Sequence, residues 1–123
     1  MSPRQSPATA HELQRVALLA SLPGETLAKL AAQMRREEIA PGEAIVVEGG
    51  EDDRFYVVLT GILAVTQETR GARRVLRPGD YFGEVAAAMS VPRTATVRAL
   101  SAATVASCDR ATFDDFVKPV FGA

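Results

Sequence analysis

The chain has 123 residues, 47% of them hydrophobic, enough for one domain with its own core and no disulfide or metal to staple it. A formal net charge of −1 removes the electrostatic pull expected of a nucleic-acid binder or a membrane-surface protein, so no direct nucleic-acid partner is expected. Cys108 is the only cysteine, and no apolar run approaches the roughly 20 residues of a membrane span or carries signal-peptide flanks. The expectation is a cytoplasmic domain, free or as the cytosolic part of a larger membrane protein.

Residues 1–8, Met1 to Ala8, are rich in Ser and Pro and read as a disordered lead or an expression remnant, leaving 9–123 as the domain. Thr9-Ala10-His11-Glu12 is a capping box ahead of Leu13, Val16 and Ala17, which predicts a short helix to about Leu19. Pro23-Gly24-Glu25 starts a second helix, whose Leu27, Leu30, Ala31 and Met34 form one apolar stripe. From Glu37 the period changes to short β-rich segments: Glu37 to Ala40, Ala44 to Val47, Phe55 to Thr60, Ile62 to Gln67 and Arg73 to Leu76. Such spacing predicts a mainly β architecture with flanking helices, a sandwich or jelly-roll barrel. Pro41-Gly42-Glu43 and Pro78-Gly79-Asp80 read as type II turns, Glu48 to Asp53 as a polar loop, and Gly61 and Gly71 as tight turns between antiparallel strands.

The stretch from Asp80 to Leu100 breaks this rhythm. Between the turn at Arg77 to Asp80 and the β-branched run Thr94 to Leu100, Glu84 to Met89 is left as about one and a half helical turns. A helix so short cannot hold itself in water, where roughly 12 or more residues are needed, and most of its N-terminal N–H groups lack partners. Gly83 ahead of it permits close approach of a ligand to the backbone, and Arg93, fixed by Pro92, supplies a planar fork that fits two phosphate oxygens. Glu84 is repelled by a phosphate, by a few kcal/mol at about 4 Å and an effective dielectric near 20, so it is expected to face hydroxyls. Together these residues suit an anionic phosphate beside a sugar hydroxyl.

Phe82-Gly83-Glu84-Val85-Ala86 followed by Pro92-Arg93-Thr94-Ala95-Thr96-Val97 closely resembles the phosphate-binding cassette of cyclic nucleotide-binding domains. Bacterial catabolite activator proteins, cAMP-dependent kinase regulatory subunits and cyclic nucleotide-gated channels carry such domains. The resemblance covers nearly the whole chain and implies an antiparallel β-roll, a double-stranded, jelly-roll-like β-helix with N-terminal helices, a cassette helix and a C-terminal helix. It assigns ligand contact to Phe82, Gly83, Glu84, Val85 and Ala86, and to Pro92, Arg93, Thr94 and Ala95. Within that set, Glu84 accepts from the ribose 2′-hydroxyl, Arg93 pairs with the cyclic phosphate, and amides around Ala86 and Ala95 complete the cradle. The implied ligand is cAMP or cGMP, with no metal. The implied partner is an effector domain in the same or another chain, of transporter, channel, esterase or kinase-like type, with self-association as a homodimer.

Beyond the cassette, Thr94 to Leu100 and Thr104 to Cys108 complete the barrel, and Asp109 caps a last helix with Phe113, Phe116, Val117 and Val120 on one face. In the resembled family a further long helix closes over the base, so this domain is expected to lack its C-terminal lid. Arg73, Arg74 and Arg98 read as solvated strand positions, His11 as an exposed helix residue and Cys108 as a small buried strand residue. Ala87 and Ala88 stand where the family often has bulky aliphatics that relay ligand binding. Thr94 stands where Ala tends to accompany a cAMP preference and Thr can support cGMP; cAMP is favoured.

The reading is therefore a non-enzymatic cyclic nucleotide sensor. Its competitor is a nucleotide-free domain of the same fold used for docking or dimerisation, which loss of Arg93 or Glu84 would have favoured. A cupin-type metal enzyme needs several His or carboxylate ligands, and His11 is the only histidine.

Overall fold

The strands follow one another in the order β1 (Arg35–Ile39), β2 (Ala44–Val46), β3 (Phe55–Thr60), β4 (Leu63–Gln67), β5 (Gly71–Leu76), β6 (Tyr81–Phe82), β7 (Thr96–Ala99) and β8 (Ala103–Cys108). The structure is a computed structural model that describes residues 7–122. Two antiparallel four-stranded sheets form, one ordered β1-β8-β3-β6 and the other β2-β7-β4-β5. This is the antiparallel β-roll, with helices α1 (Ala10–Gln14) and α2 (Gly24–Gln33) ahead of it. Helix α3 (Glu84–Met89) lies between β6 and β7, and a last helical stretch is built from α4 (Arg110–Thr112), a π turn (Phe113–Val117) and α5 (Lys118–Gly122).

Strand β3 explains how the layers meet. Phe55, Tyr56, Val57 and Val58 are all buried, because the strand is covered on both faces. Phe55 and Val57 pack with Leu13, Leu30, Met34 and Phe113 of the helices, whereas Tyr56 and Val58 pack with Leu63, Leu76 and Val97 of the opposite sheet. Strand β8 repeats the arrangement, with Ala106 and Cys108 on the helix side and Ala103 and Val105 between the sheets. Each fully buried Val or Phe contributes about 1.5–3 kcal/mol of hydrophobic free energy.

The turns close as their sequences imply. Glu43 N–H donates to the Ala40 carbonyl at 3.0 Å and Asp80 N–H to the Arg77 carbonyl at 2.9 Å. The acid after each Pro-Gly completes the turn by accepting back, Glu43 from Ala40 N–H at 3.0 Å and Asp80 from Arg77 N–H at 2.8 Å. The Thr9–Glu12 capping box is formed, and the Asp109 side chain accepts from Thr112 N–H at 2.9 Å.

Several boundaries differ from expectation. The first helix stops at Gln14, because Val16 turns extended, and Ala17–Leu19 form a separate 3-10 turn. A spacing of about three residues per turn stacks Leu13, Val16 and Leu19 on one side, where all three are buried. Strand β1 begins at Arg35, two residues early, and draws in the preceding segment: Pro7 bridges Arg35 and Ala8 N–H donates to the Met34 carbonyl at 3.3 Å. The proposed disordered lead therefore does not include Pro7 and Ala8, and its first six residues lie outside the described ones. Thr94 and Ala95 stand outside β7 because the cassette loop pairs elsewhere, with Arg93 N–H donating to the Gly50 carbonyl at 2.8 Å. Strand β6 has two residues, too few for any periodic signal, and pairs with β3 through Tyr56↔Phe82 and Val57↔Tyr81.

Gly61 joins β3 to β4 with φ +87°, and a Cβ there would sit 2.4 Å from the Ala102 carbonyl oxygen and 2.6 Å from Ala103 Cα. Left-handed backbone costs a non-glycine residue about 1–2 kcal/mol before any overlap is counted. Gly61→Ala is accordingly expected to destabilise the domain by more than about 2 kcal/mol in urea unfolding, since the overlap with backbone adds to the φ term. A loss under about 0.5 kcal/mol, the usual range of a neutral surface change, would show that the β3–β4 turn relaxes freely.

Candidate functional site

The site grows from the short helix that the sequence leaves between two strands. Gly83 caps α3 with φ +88°. A Cβ on Gly83 would lie 2.7 Å from the Arg54 carbonyl oxygen and 2.9 Å from Arg93 Nη1, so the glycine makes room for the arginine as well as for any ligand.

Arg93 is 5% exposed, and the structure shows what a buried guanidinium requires. Its Nη2 donates to the Arg54 carbonyl at 2.8 Å and to Asp52 Oδ1, its Nε donates to Asp52 Oδ2 at 3.3 Å, and its Nη1 donates to the Gly83 carbonyl at 3.5 Å. The Tyr56 ring lies below, 5.8 Å from the guanidinium carbon. A guanidinium carries five N–H donors, so one on Nη1 is left over after these four bonds. The backbone is equally fixed: besides the Arg93–Gly50 bond, Gly49 N–H donates to the Arg93 carbonyl at 2.8 Å. Arg54 is anchored in turn, with Nε donating to Ser107 Oγ at 3.0 Å and Nη2 to the Ser107 carbonyl at 3.2 Å.

Sequence reasoning missed Asp52, which stands 41 residues before its partner in a loop that reads only as polar. Partial burial opposes ionisation of this carboxyl, but the Arg93 guanidinium and the Arg54 N–H outweigh it and hold Asp52 below its ordinary value of 3.8.

All nine predicted residues, Phe82 to Ala86 and Pro92 to Ala95, line one cavity of about 140 Å³. Their burial divides their work. Phe82 and Ala86 are buried, and the Phe82 ring stacks on Tyr56 at 4.8 Å, while Glu84 is half-buried and Val85, Pro92 and Thr94 are exposed. Gln67 Nε2 donates to the Thr94 carbonyl at 2.7 Å, tying that part of the cassette to β4.

Val46, Val65, Val97 and Arg74 complete the cavity, and none of the four was expected there. The valines are core positions by pattern, and only the sheet register shows that their common face opens into a cavity. Arg74 is exposed on β5, as its reading as a solvated strand position expects, and it also lines the cavity. The Arg73 side chain lies outside the described residues. Arg98 is exposed and donates to the Gly42 carbonyl at 2.8 Å, and His11 is exposed on α1. Cys108 is buried, which pushes its thiol up to about 12, so it does not ionise near neutrality. Among the described residues, no group of three or more His, Cys, Asp or Glu side chains is placed to hold a metal ion.

A β-roll with a cassette helix and a buried arginine at one cavity defines a ligand-binding module, and comparison with known proteins gives its family. The model of the cyclic nucleotide-binding domain matches residues 36–119, and the chain belongs to that family of non-catalytic domains. It is 36% identical over 107 residues to the cAMP-dependent protein kinase regulatory subunit of Debaryomyces hansenii, covering 87% of this chain and 24% of that protein. It is 37% identical over 109 residues to the regulatory subunit of Yarrowia lipolytica, covering 88% and 29%. The solved regulatory domain of Toxoplasma gondii PKA with cAMP matches with a TM-score of 0.85 and 29% identity, over 90% of this chain and 44% of that one. The chain thus spans about a quarter of the length of these curated relatives.

The Asp52–Arg93 pair gives a test in acid. A carboxyl held below its ordinary value contributes stability that is complete above 3.8 and is lost as the pH falls through the lower folded value. Asp52→Asn is expected to remove part of the wild type's loss of stability below that pH, measured as urea midpoints across the acid range. Asp109, lowered by its bonds from Thr112, continues to contribute, so some slope remains. Identical slopes in the two proteins would mean that the pair does not form in solution.

Proposed function

We propose that the cavity binds a purine nucleoside 3′,5′-cyclic phosphate and that the domain reports the binding to an effector. The observation that carries this reading is the buried Arg93 fork: it lines the cavity, retains one unused N–H on Nη1, and stands with Gly83, Ala86 and Ala95. In this assignment Arg93 takes the cyclic phosphate, amides around Ala86 and Ala95 complete the cradle, and Glu84 accepts from the ribose 2′-hydroxyl. cAMP is the favoured ligand and cGMP the competitor; relatives named as cAMP-dependent regulatory subunits support that order. The same names favour a kinase-like effector over a transporter, channel or esterase.

Signal passing follows from what the ligand would disturb. A phosphate at Arg93 shares a guanidinium already held by Asp52, Arg54 and Gly83, so binding redistributes bonds that tie α3 to the loop before β3. At its other end α3 is tied to the last helical stretch, where Arg110 Nη1 donates to Ser90 Oγ. A ligand moves such an arrangement only as far as it prefers one state over the other.

Calorimetric titration of the purified, nucleotide-stripped domain with cAMP and cGMP separates sensor from docking module, and absence of binding by both refutes the sensor. In the same assay Arg93→Ala is expected to lose detectable binding, since a charge-assisted contact in a shielded cradle is worth at least about 1.5–3 kcal/mol. Arg93→Lys is expected to recover little, because an ammonium lacks the planar fork. Unchanged affinity in folded Arg93→Ala would remove Arg93 from the phosphate, and unchanged affinity in Arg93→Lys would mean that the charge alone, without the planar fork, suffices.

For Glu84 the discriminating ligand is a 2′-deoxy cyclic nucleotide. It is expected to bind the wild type more weakly than its parent, and Glu84→Ala is expected to narrow the gap, as a double-mutant cycle requires of interacting groups. A gap that persists in the variant would place the hydroxyl contact elsewhere.

A further inference from the structure

The exit of the cassette is held by side-chain bonds from the β4–β5 hairpin. Gln67, the last residue of β4, donates from Nε2 to the Thr94 carbonyl at 2.7 Å, and Glu68 N–H donates to Glu48 Oε1 at 2.8 Å. Glu48 N–H in turn donates to Thr96 Oγ1 at 2.9 Å, so the hairpin, the loop after β2 and the start of β7 are tied together. On the other side Arg93 is fixed by its bonds with Gly49 and Gly50, which leaves Thr94 and Ala95 as a short span between anchored neighbours. The ladder between β4 and β7 ends at Thr66↔Thr96, one step short of Gln67 and Ala95. Gln67 thus reaches the cassette through its side chain at the point where backbone pairing has stopped.

The peptide between Thr94 and Ala95 is planar and trans, so its carbonyl and its N–H point in opposite directions. A carboxamide seated on the Thr94 carbonyl therefore sets where Ala95 N–H points. Thr94 and Ala95 line the cavity and Gln67 does not, and Ala95 N–H has no hydrogen-bond partner among the described residues. A backbone donor left free on a half-buried residue is costly unless an acceptor comes to it. We propose that Gln67 is a positioning residue: it aims Ala95 N–H at one exocyclic oxygen of the cyclic phosphate, complementing the Arg93 fork without touching the ligand itself. This deepens the reading of the cavity as a cyclic nucleotide site and rests on it. Fixing the donor in advance matters because a group that must be ordered at the moment of binding contributes less to affinity.

The test titrates wild type, Gln67→Met and Gln67→Asn with cAMP and with the two phosphorothioate diastereomers of cAMP, each of which carries sulfur at one exocyclic position. Gln67→Met keeps the length of the side chain and removes the donor. Gln67→Asn keeps the carboxamide and withdraws it by one methylene, and it decides the matter if the first substitution lowers the melting temperature. Both are expected to weaken cAMP by about tenfold, as loss of one charge-assisted hydrogen bond does. Sulfur is a weak acceptor, so the diastereomer that turns it towards Ala95 N–H is penalised in the wild type. In the variants that penalty is expected to shrink by about threefold or more, while the other diastereomer's stays within about twofold, as a cycle between coupled groups requires. Unchanged affinity for cAMP would overturn the proposal. So would equal weakening of cAMP and both diastereomers, the result of a general loosening of the hairpin. A wild type that binds none of the ligands sinks the cyclic nucleotide site and the role of Gln67 with it, whereas a wild type whose diastereomer ratio is untouched by either substitution sinks only the role of Gln67.

Discussion

The constraint on which the site depends is the burial of one guanidinium. Arg93 is 5% exposed in a domain whose sheets are otherwise joined by valine, leucine and aromatic contacts. Removing a cation from water costs several kcal/mol unless charge and hydrogen bonds replace the lost hydration. The surrounding chain is arranged to supply them: the Arg54 and Gly83 carbonyls, the Asp52 carboxylate and the face of Tyr56. That requirement accounts for the left-handed glycine at 83, whose missing Cβ leaves space for Nη1, and for the Gly49–Gly50 loop, which pairs with the Arg93 backbone.

The same constraint separates what was legible in the sequence from what was not. Gly83, Glu84 and Arg93 lie close together in sequence, so a local reading groups them without knowledge of the fold, and they do line one cavity. Strand β3 was equally plain, because six consecutive residues between turns suit a strand covered on both faces. Asp52 could not be found in this way. Its pairing is a long-range consequence of the loop before β3 folding against the cassette, and nothing local distinguishes it from Glu51 or Asp53. Arg74 was hidden for a related reason: a period-2 pattern says which residues share a face, but the row Val46-Val97-Val65-Arg74 exists only once three strand registers are set.

Helix ends show a second limit. The capping box at Thr9 and the Asp109 cap are local hydrogen-bond devices and were readable as such. Where α1 ends was not readable, because the break at Val16 is driven by burial of Leu13, Val16 and Leu19 against the body of the domain. Packing outweighs propensity in so short a segment, since an isolated five-residue helix has no stability of its own to defend.

The small residues of α3 take on a different meaning beside the last helical stretch. Ala87 is fully buried and Ala88 partly so, in the cluster that also holds Phe55, Tyr81 and Phe113. The bulk absent from α3 is present opposite it: Phe55 lies 5.2 Å from Phe113 and 5.9 Å from Tyr81, and Phe121 lies 5.5 Å from Tyr81, ring centre to ring centre. A six-residue helix with small side chains can settle closely against such a cluster, so its position depends on the aromatic side chains of the π turn and α5. Arg110 and Ser90 add a polar tie at the end of α3 remote from Arg93. The cassette helix is thus clamped at one end by the guanidinium and at the other by the last helical stretch. Arg93 and the C-terminal helix are thereby joined through a short, continuously packed path, in which the aromatic rings facing α3 supply the bulk that its alanines lack.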